Sequence, residues 1–203
     1  MNGDSALLDA AVEQFVLTGV RRTSADDIAR RAGVNRATLY RRLGTKDQIV
    51  AGAILQETGR VLARITDAIG DVPPPGTAGF DPAAYVLTFF SVTIGEVRDN
   101  QLLQQLMVKD REDTLIGLTA RAGDVIALAA ELSADRIVKL RAYVGNDDTA
   151  NAKATAHTLA RLTQSLLLTP DGPPRLDTAA RRKAYVDAVI VPMVLGRYAR
   201  TEA

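Results

Sequence analysis

The sequence predicts an all-α protein, and three observations carry that expectation. Apolar residues recur at three- and four-residue steps, the spacing of one helix face. Beyond Pro82 no strand-like alternation is long enough to compete. Between the periodic runs stand clusters of Gly, Pro, Asn, Asp and Ser, residues that cap or end helices. A chain of 203 residues with 47% hydrophobic content can bury a substantial core as one or two domains.

Asp4 to Thr18 places Leu7, Leu8, Ala11, Val12, Phe15 and Val16 at helical spacing and ends at Gly19, predicting a bracing first helix. Ser24 can cap a second helix reaching about Ala32, because its hydroxyl can accept from an unpaired first-turn N–H. Asp26 and Asp27 suit the positive end of that helix dipole. Gly33 can take a left-handed C-cap without a Cβ clash, and Asn35 is placed to cap a third helix over about Arg36 to Leu43. Two helices thus meet across a tight turn, as in a helix-turn-helix. Ile28, Ala29, Ala32, Val34, Leu39 and Leu43 fall where this corner must be packed. Arg36, Ala37, Thr38, Tyr40, Arg41 and Arg42 are left on the outer face, where side chains can hydrogen-bond base edges and phosphates.

From Val20 to Lys46 the chain carries eight basic side chains against Asp26 and Asp27, a local excess of six positive charges. The whole chain is only +1, so the remainder sums to −5. A concentrated basic patch on a near-neutral protein is the electrostatic footprint of a polyanion partner.

Thr45 caps a predicted long helix running through Ile49, Ile54, Val61, Leu62 and Ile65 to about Ile69, until DVPPPGTAGFDP breaks the pattern. Further helices are expected near Ala83 to Val97, Asn100 to Lys109, Glu112 to Glu131, Ala134 to Val144, Thr149 to Leu168 and Asp177 to Ala199. Ser133, GNDD after Val144, and TPDGPPRLD are read as the punctuation between them. Pro192 should remove one helical hydrogen bond and bend the last helix.

The segment from about Ser5 to Ile54 resembles the amino-terminal domain of the tetracycline-repressor (TetR/AcrR) family of transcriptional regulators. LLDAAVEQFVLTGV precedes TSADDIARRAGVNRATLYRRLGTKDQIV, which is similar to the family pattern of Thr, Ile, Ala, Gly, Val, then TLY, then a lysine followed by an acid. The resemblance covers about the first quarter of the chain. It implies DNA contact by Thr38 and Tyr40 on the recognition helix and by Lys46 at the start of the next. Arg36 stands at a frequent lysine position, and Arg42 at one often held by histidine. Leu43 replaces the usual phenylalanine. Because Arg41 and Arg42 depart from the family's aromatic-histidine pair, an operator sequence cannot be borrowed from a relative. The expected DNA-facing set is Thr23, Ser24, Asn35, Arg36, Ala37, Thr38, Tyr40, Arg41, Arg42 and Lys46.

The family further implies an N-terminal three-helix DNA-binding domain (1–50) followed by a C-terminal helical bundle (51–203) for ligand binding and dimerisation. The expected partners are a palindromic double-stranded DNA operator, a small, largely apolar effector and a second copy of the chain. Tyr85, Phe89, Phe90, Leu103, Leu106, Met107, Leu115, Tyr143 and His157 could line an apolar effector cavity, although the same spacing also produces ordinary core. Ala152, Ala156, Leu159, Ala160, Thr163, Leu166 and Leu167 form one stripe, and the segment from Tyr185 to Leu195 is apolar nearly all round. A helix apolar on most faces needs partners on more than one side. Leu159, Leu162, Leu166, Tyr185, Val189 and Met193 are therefore the expected homodimer interface, the alternative being a last helix central to a monomer.

The absence of cysteine and the single histidine argue against disulfides, metal centres and cofactors. No phosphate-binding glycine loop and no G-x-S-x-G elbow is present. An all-α enzyme is the least favoured function. A ligand-independent DNA-architectural or protein-interaction role remains as the alternative, disfavoured by a net acidic carboxy-terminal part. No run approaches the roughly 20 apolar residues that span a bilayer, and MNGDSALLDA has neither a basic leader nor a long apolar run. The expected location is cytoplasmic, with no membrane partner.

Overall fold

The computed structural model describes residues 3–169 and 171–196, and contains no strand among them. The helices are α1 (Gly3–Thr18), α2 (Ala25–Arg31), α3 (Arg36–Leu43), α4 (Lys46–Ile69), α5 (Pro82–Arg98) and α6 (Gln101–Lys109). They continue with α7 (Arg111–Leu118), α8 (Gly123–Tyr143), α9 (Ala152–Leu168), α10 (Ala179–Tyr185), a π-helical turn (Val186–Ile190) and α11 (Val191–Leu195). No helix among the described residues is long and apolar enough to cross a membrane.

The chain forms two compact units, one within Met1–Val61 and Val97–Val125, the other within Leu62–Glu96 and Ile126–Ala203. The first has a core of Leu7, Ala11, Phe15, Ile28, Leu39, Ile49 and Ala53, to which α6 adds Leu102 and Leu106. The helix-turn-helix therefore shares its hydrophobic core with residues far beyond position 50.

A polar clamp fastens α6 to α1. The buried Asp110 carboxylate accepts from the backbone N–H groups of Val20 at 2.6 Å and Arg21 at 3.2 Å. Beside it, Lys109 Nζ donates to the carbonyls of Val16 at 2.7 Å and Leu17 at 2.8 Å. These carbonyls belong to the last turn of α1, where unpaired acceptors and the negative end of the dipole favour a cation.

The second unit is built on Tyr85, Val86, Phe90, Ile94, Ala130, Ile137, Leu140, Ala156, Val186 and Ile190. Its irregular 70–81 segment is tied down by tyrosines. Tyr85 Oη donates to Gly70 O at 3.0 Å and Tyr143 Oη to Thr77 O at 2.6 Å, while the Tyr143 ring meets Phe80 edge-on at 4.8 Å.

Three expectations about the elements are corrected. The break expected at Ser133 lies instead between Leu118 and Gly123, so 112–131 is not one helix and α8 runs unbroken through Ser133. The Ser133 hydroxyl donates to Ala129 O at 2.9 Å, one turn back, and so is accommodated inside the helix. The last helix ends earlier than predicted, at Leu195; positions 197–199 lie outside the described residues. Before Pro192 the structure has a π turn, in which Val191 N–H reaches back to Val186 O. Bonds spanning five residues accommodate a proline that lacks its own N–H and whose ring crowds the preceding turn.

Candidate nucleic-acid interface

The corner that presents α3 is fixed by short-range hydrogen bonds. Ser24 and Asp27 form a capping box: Asp27 N–H donates to Ser24 Oγ at 3.1 Å, and Ser24 N–H donates to Asp27 Oδ2 at 3.0 Å. The Ser24 hydroxyl also donates to Asp27 Oδ2 at 2.6 Å, and these bonds hold the Asp27 carboxyl below its ordinary pKa. At its other end α2 closes with Gly33 at φ 68°, Val34 N–H donating to Ala29 O at 3.0 Å and Gly33 N–H to Arg30 O at 3.2 Å. That pair of bonds is a Schellman closure, which turns the chain sharply. Asn35 Oδ1 then accepts from Thr38 N–H at 2.8 Å and starts α3.

Buried Ile28, Ala29 and Leu39 hold the two axes together. The outward face of α3 carries Arg36, Ala37, Arg41 and Arg42, all exposed, with Thr38 and Tyr40 half-buried at its edge. Arg36 Nη1 lies 3.2 Å from Asp26, and its guanidinium is 5.3 Å from the centre of the Tyr40 ring. Arg42 donates to Asp4 at 2.6 Å. Arg41 makes no hydrogen bond or ion pair among the described residues. Exposed pairs such as Arg36–Asp26 are worth about 0–1 kcal/mol, so exchanging a carboxylate for a phosphate costs little. Lys46, half-buried, opens α4 beside Thr45 and Gln48, whose side chains cap each other's backbone N–H at 3.3 and 2.7 Å.

Thr23 stands apart from the other candidates. It is 1% exposed, and its hydroxyl donates to Gly19 O at 2.5 Å beside Thr18 Oγ1 at 2.8 Å. Its side chain stabilises the turn before α2 and does not face outward, a correction to its place in the expected DNA-facing set. Lys109 and Asp110, which hold that turn from a distance, were invisible to sequence reasoning.

Residues 7–53 match the family model for bacterial regulatory proteins of the tetR family. That segment, the helix-turn-helix and the helices flanking it, is thus of the tetR type. An uncharacterised HTH-type transcriptional regulator of Mycobacterium tuberculosis H37Rv, Rv1255c, is 27% identical to this chain, covering 92% of it and 84% of the relative. A second, the HTH-type transcriptional repressor Rv3405c of the same organism, is 44% identical over 30% of this chain and 32% of its own. Among crystal structures, the TetR family repressor AlkX from Dietzia sp. strain DQ12-45-1b superposes with a TM-score of 0.68 at 20% identity, covering 93% of both chains. QsdR from R. erythropolis gives 0.61 at 20% identity, covering 97% and 96%. The matched domain and the relatives named as HTH-type transcriptional regulators support a DNA-binding transcriptional regulator.

The expected effector-lining residues divide between the units. Tyr85, Phe89, Phe90, Tyr143 and His157 lie in the second. Leu103, Leu106, Met107 and Leu115 lie in the first, where Leu106 is buried in the core shared with the helix-turn-helix. The expected interface residues all sit in the second unit: Leu159, Leu162, Leu166, Tyr185 and Met193 half-buried, Val189 36% exposed. Only Ala152 and Ala156 of α9 are buried, so most of its leucine stripe is incompletely covered.

Proposed function

We propose that this regulator is a repressor that holds a palindromic operator as a homodimer and releases it when a small, largely apolar effector binds. Residues 1–50 would read DNA, and residues 51–203 would bind the effector and the second subunit. The observation that carries the reading is the outer face of α3, where Arg41, without a hydrogen bond or ion pair among the described residues, stands between arginines whose ion pairs are with exposed carboxylates. Base edges and phosphates are the partners such a face suits. The half-covered leucines of α9 support the dimer, since two rigid readers on one palindrome must stand about one helical turn, roughly 34 Å, or a multiple apart. Effector binding would act as a population shift toward a packing in which that separation is wrong. The regulator would work on the chromosome, in the cytoplasm.

Selection of bound fragments from a random DNA pool, followed by titration at several salt concentrations, tests this. Tyr40→Ala with Arg41→Ala should weaken binding to a selected site by about 1–3 kcal/mol for each side chain that reads a base, whereas Lys46→Ala should weaken all sequences evenly and flatten the salt slope. Undiminished affinity in the double variant would sink the recognition-helix assignment. Leu166→Asp should yield a folded monomer in sedimentation that holds only half-sites, because an unpaired charge cannot enter a desolvated interface. If that variant stays dimeric at micromolar concentration, the interface lies elsewhere.

A further inference from the structure

We infer that the effector carries a carboxylate, and that Arg136, on α8 against α5 in the second unit, receives it. This rests on the proposal that a small apolar molecule binds that unit. Arg136 is 6% exposed. Its Nε donates to Tyr85 Oη at 3.3 Å, its Nη1 to Leu132 O at 3.3 Å, and its guanidinium lies 5.9 Å from the centre of the Phe89 ring. Its Nη2 is buried with no hydrogen-bond partner, and no carboxylate pairs with Arg136 among the described residues. A buried cation lacking both a counter-charge and a full set of acceptors is costly, and a ligand that supplies both removes the cost.

A second orphan points the same way. The Thr93 hydroxyl is also buried without a partner. Tyr85, Phe89 and Thr93 follow one another at four-residue steps, the spacing of a single face of α5, and Arg136 meets the first two. That face offers an acid group one fixed cation and an unused hydroxyl, with Phe90 and Ile94 in the adjoining core to cover an apolar body. A single positive charge matches a monocarboxylate. A phosphate dianion would need a second cation, and the other buried arginine among the described residues of this unit, Arg141, is already engaged by Val194 O, Asp148 O and Thr155 Oγ1.

The test uses the full chain and two matched probe pairs, decanoate with decan-1-ol and 2-naphthoate with 2-naphthol, followed by calorimetry and by release of a selected operator. In the unaltered protein each acid should bind at least about tenfold more tightly than its alcohol, the difference expected of a charge-assisted hydrogen bond. Arg136→Met should erase the preference while leaving alcohol binding and the helical signal unchanged. Should that variant fail to fold, Arg136→Lys keeps the charge but not the fork and should reduce the preference without abolishing it. Acids no better than alcohols, with the alcohols still releasing DNA, would overturn the carboxylate site and leave the effector reading standing. An acid preference that survives in Arg136→Met would show the arginine to be structural only. Binding by neither class would overturn this proposal together with the reading on which it rests.

Discussion

Along α8, the turn around Arg136 and the turn around Arg141 bury the same charged group in opposite hydrogen-bond states. Arg141, 3% exposed, donates to Val194 O at 2.9 Å, Asp148 O at 2.8 Å, Thr155 Oγ1 at 3.1 Å and Met193 O at 3.3 Å. It satisfies carbonyls at the end of the described chain and in the turn before α9, and so closes the second unit. Arg136 has a weaker set of partners and one nitrogen with none. A buried arginine is thus evidence of a site only when one of its nitrogens is left without any acceptor. The first unit obeys the Arg141 pattern: buried Asp110 is engaged by two backbone N–H groups and buried Thr114 by two carbonyls.

Removing each arginine in turn should separate the two most widely. Arg141→Met strands several buried acceptors and should cost about 3–5 kcal/mol in urea unfolding. Arg136→Met removes a charge that the fold leaves uncompensated, and should fall within about 1 kcal/mol of the parent. Equal losses would place both arginines in the same structural class.

The next effect concerns the clamp of the first unit. Asp110→Ala leaves the N–H groups of Val20 and Arg21 without their acceptor, at about 2–4 kcal/mol. Two glycines refine that prediction. Gly19, at φ 81°, would place a Cβ 2.4 Å from Asp110 Oδ2, whereas at Gly33, φ 68°, a Cβ meets nothing within 4 Å. Gly33→Ala should therefore cost only the backbone strain of about 1–2 kcal/mol. Gly19→Ala must also displace the carboxylate and should cost more. Urea midpoints for the two variants check the order, and an inverted order would deny Asp110 its part in holding the turn.

What was legible in the sequence follows from the range of the interactions. The caps at Ser24, Asn35 and Thr45 each work across three residues, and the helix starts they imply are the ones observed. The outward face of α3 followed because the inward positions were chosen correctly. Asp110 was not legible, because its partners stand 90 and 89 positions away and no local pattern announces them. Ser133 misled because a serine hydroxyl can cap a helix or bond backward within one. Arg136 and Arg141 read alike in sequence. Only the packing around each shows which one keeps a nitrogen without a partner.

The smallest effect lies in the local cap itself, where short range makes the outcome most calculable. Ser24→Ala removes the acceptor for Asp27 N–H and should cost about 1 kcal/mol. It also removes the leading cause that holds the Asp27 carboxyl below its ordinary value of 3.8, the hydrogen bond from the Ser24 hydroxyl, and leaves the bond from the backbone N–H of residue 24 and the smaller contribution of Arg30 in place. The sign follows from linkage: the folded form prefers the ionised carboxylate. Its contribution is complete above the unfolded pKa and is lost as pH falls through the lower folded one. The advantage of the parent over Asp27→Asn should therefore be constant near neutrality and shrink on acidification below about pH 4. In a Ser24→Ala background the acid-dependent part of that difference should diminish, while the pH-independent part tied to other contacts persists. Urea midpoints for the four proteins across that range decide the matter. If the parent's advantage over Asp27→Asn grows as the pH falls, the capping box does not favour the charged carboxylate in solution.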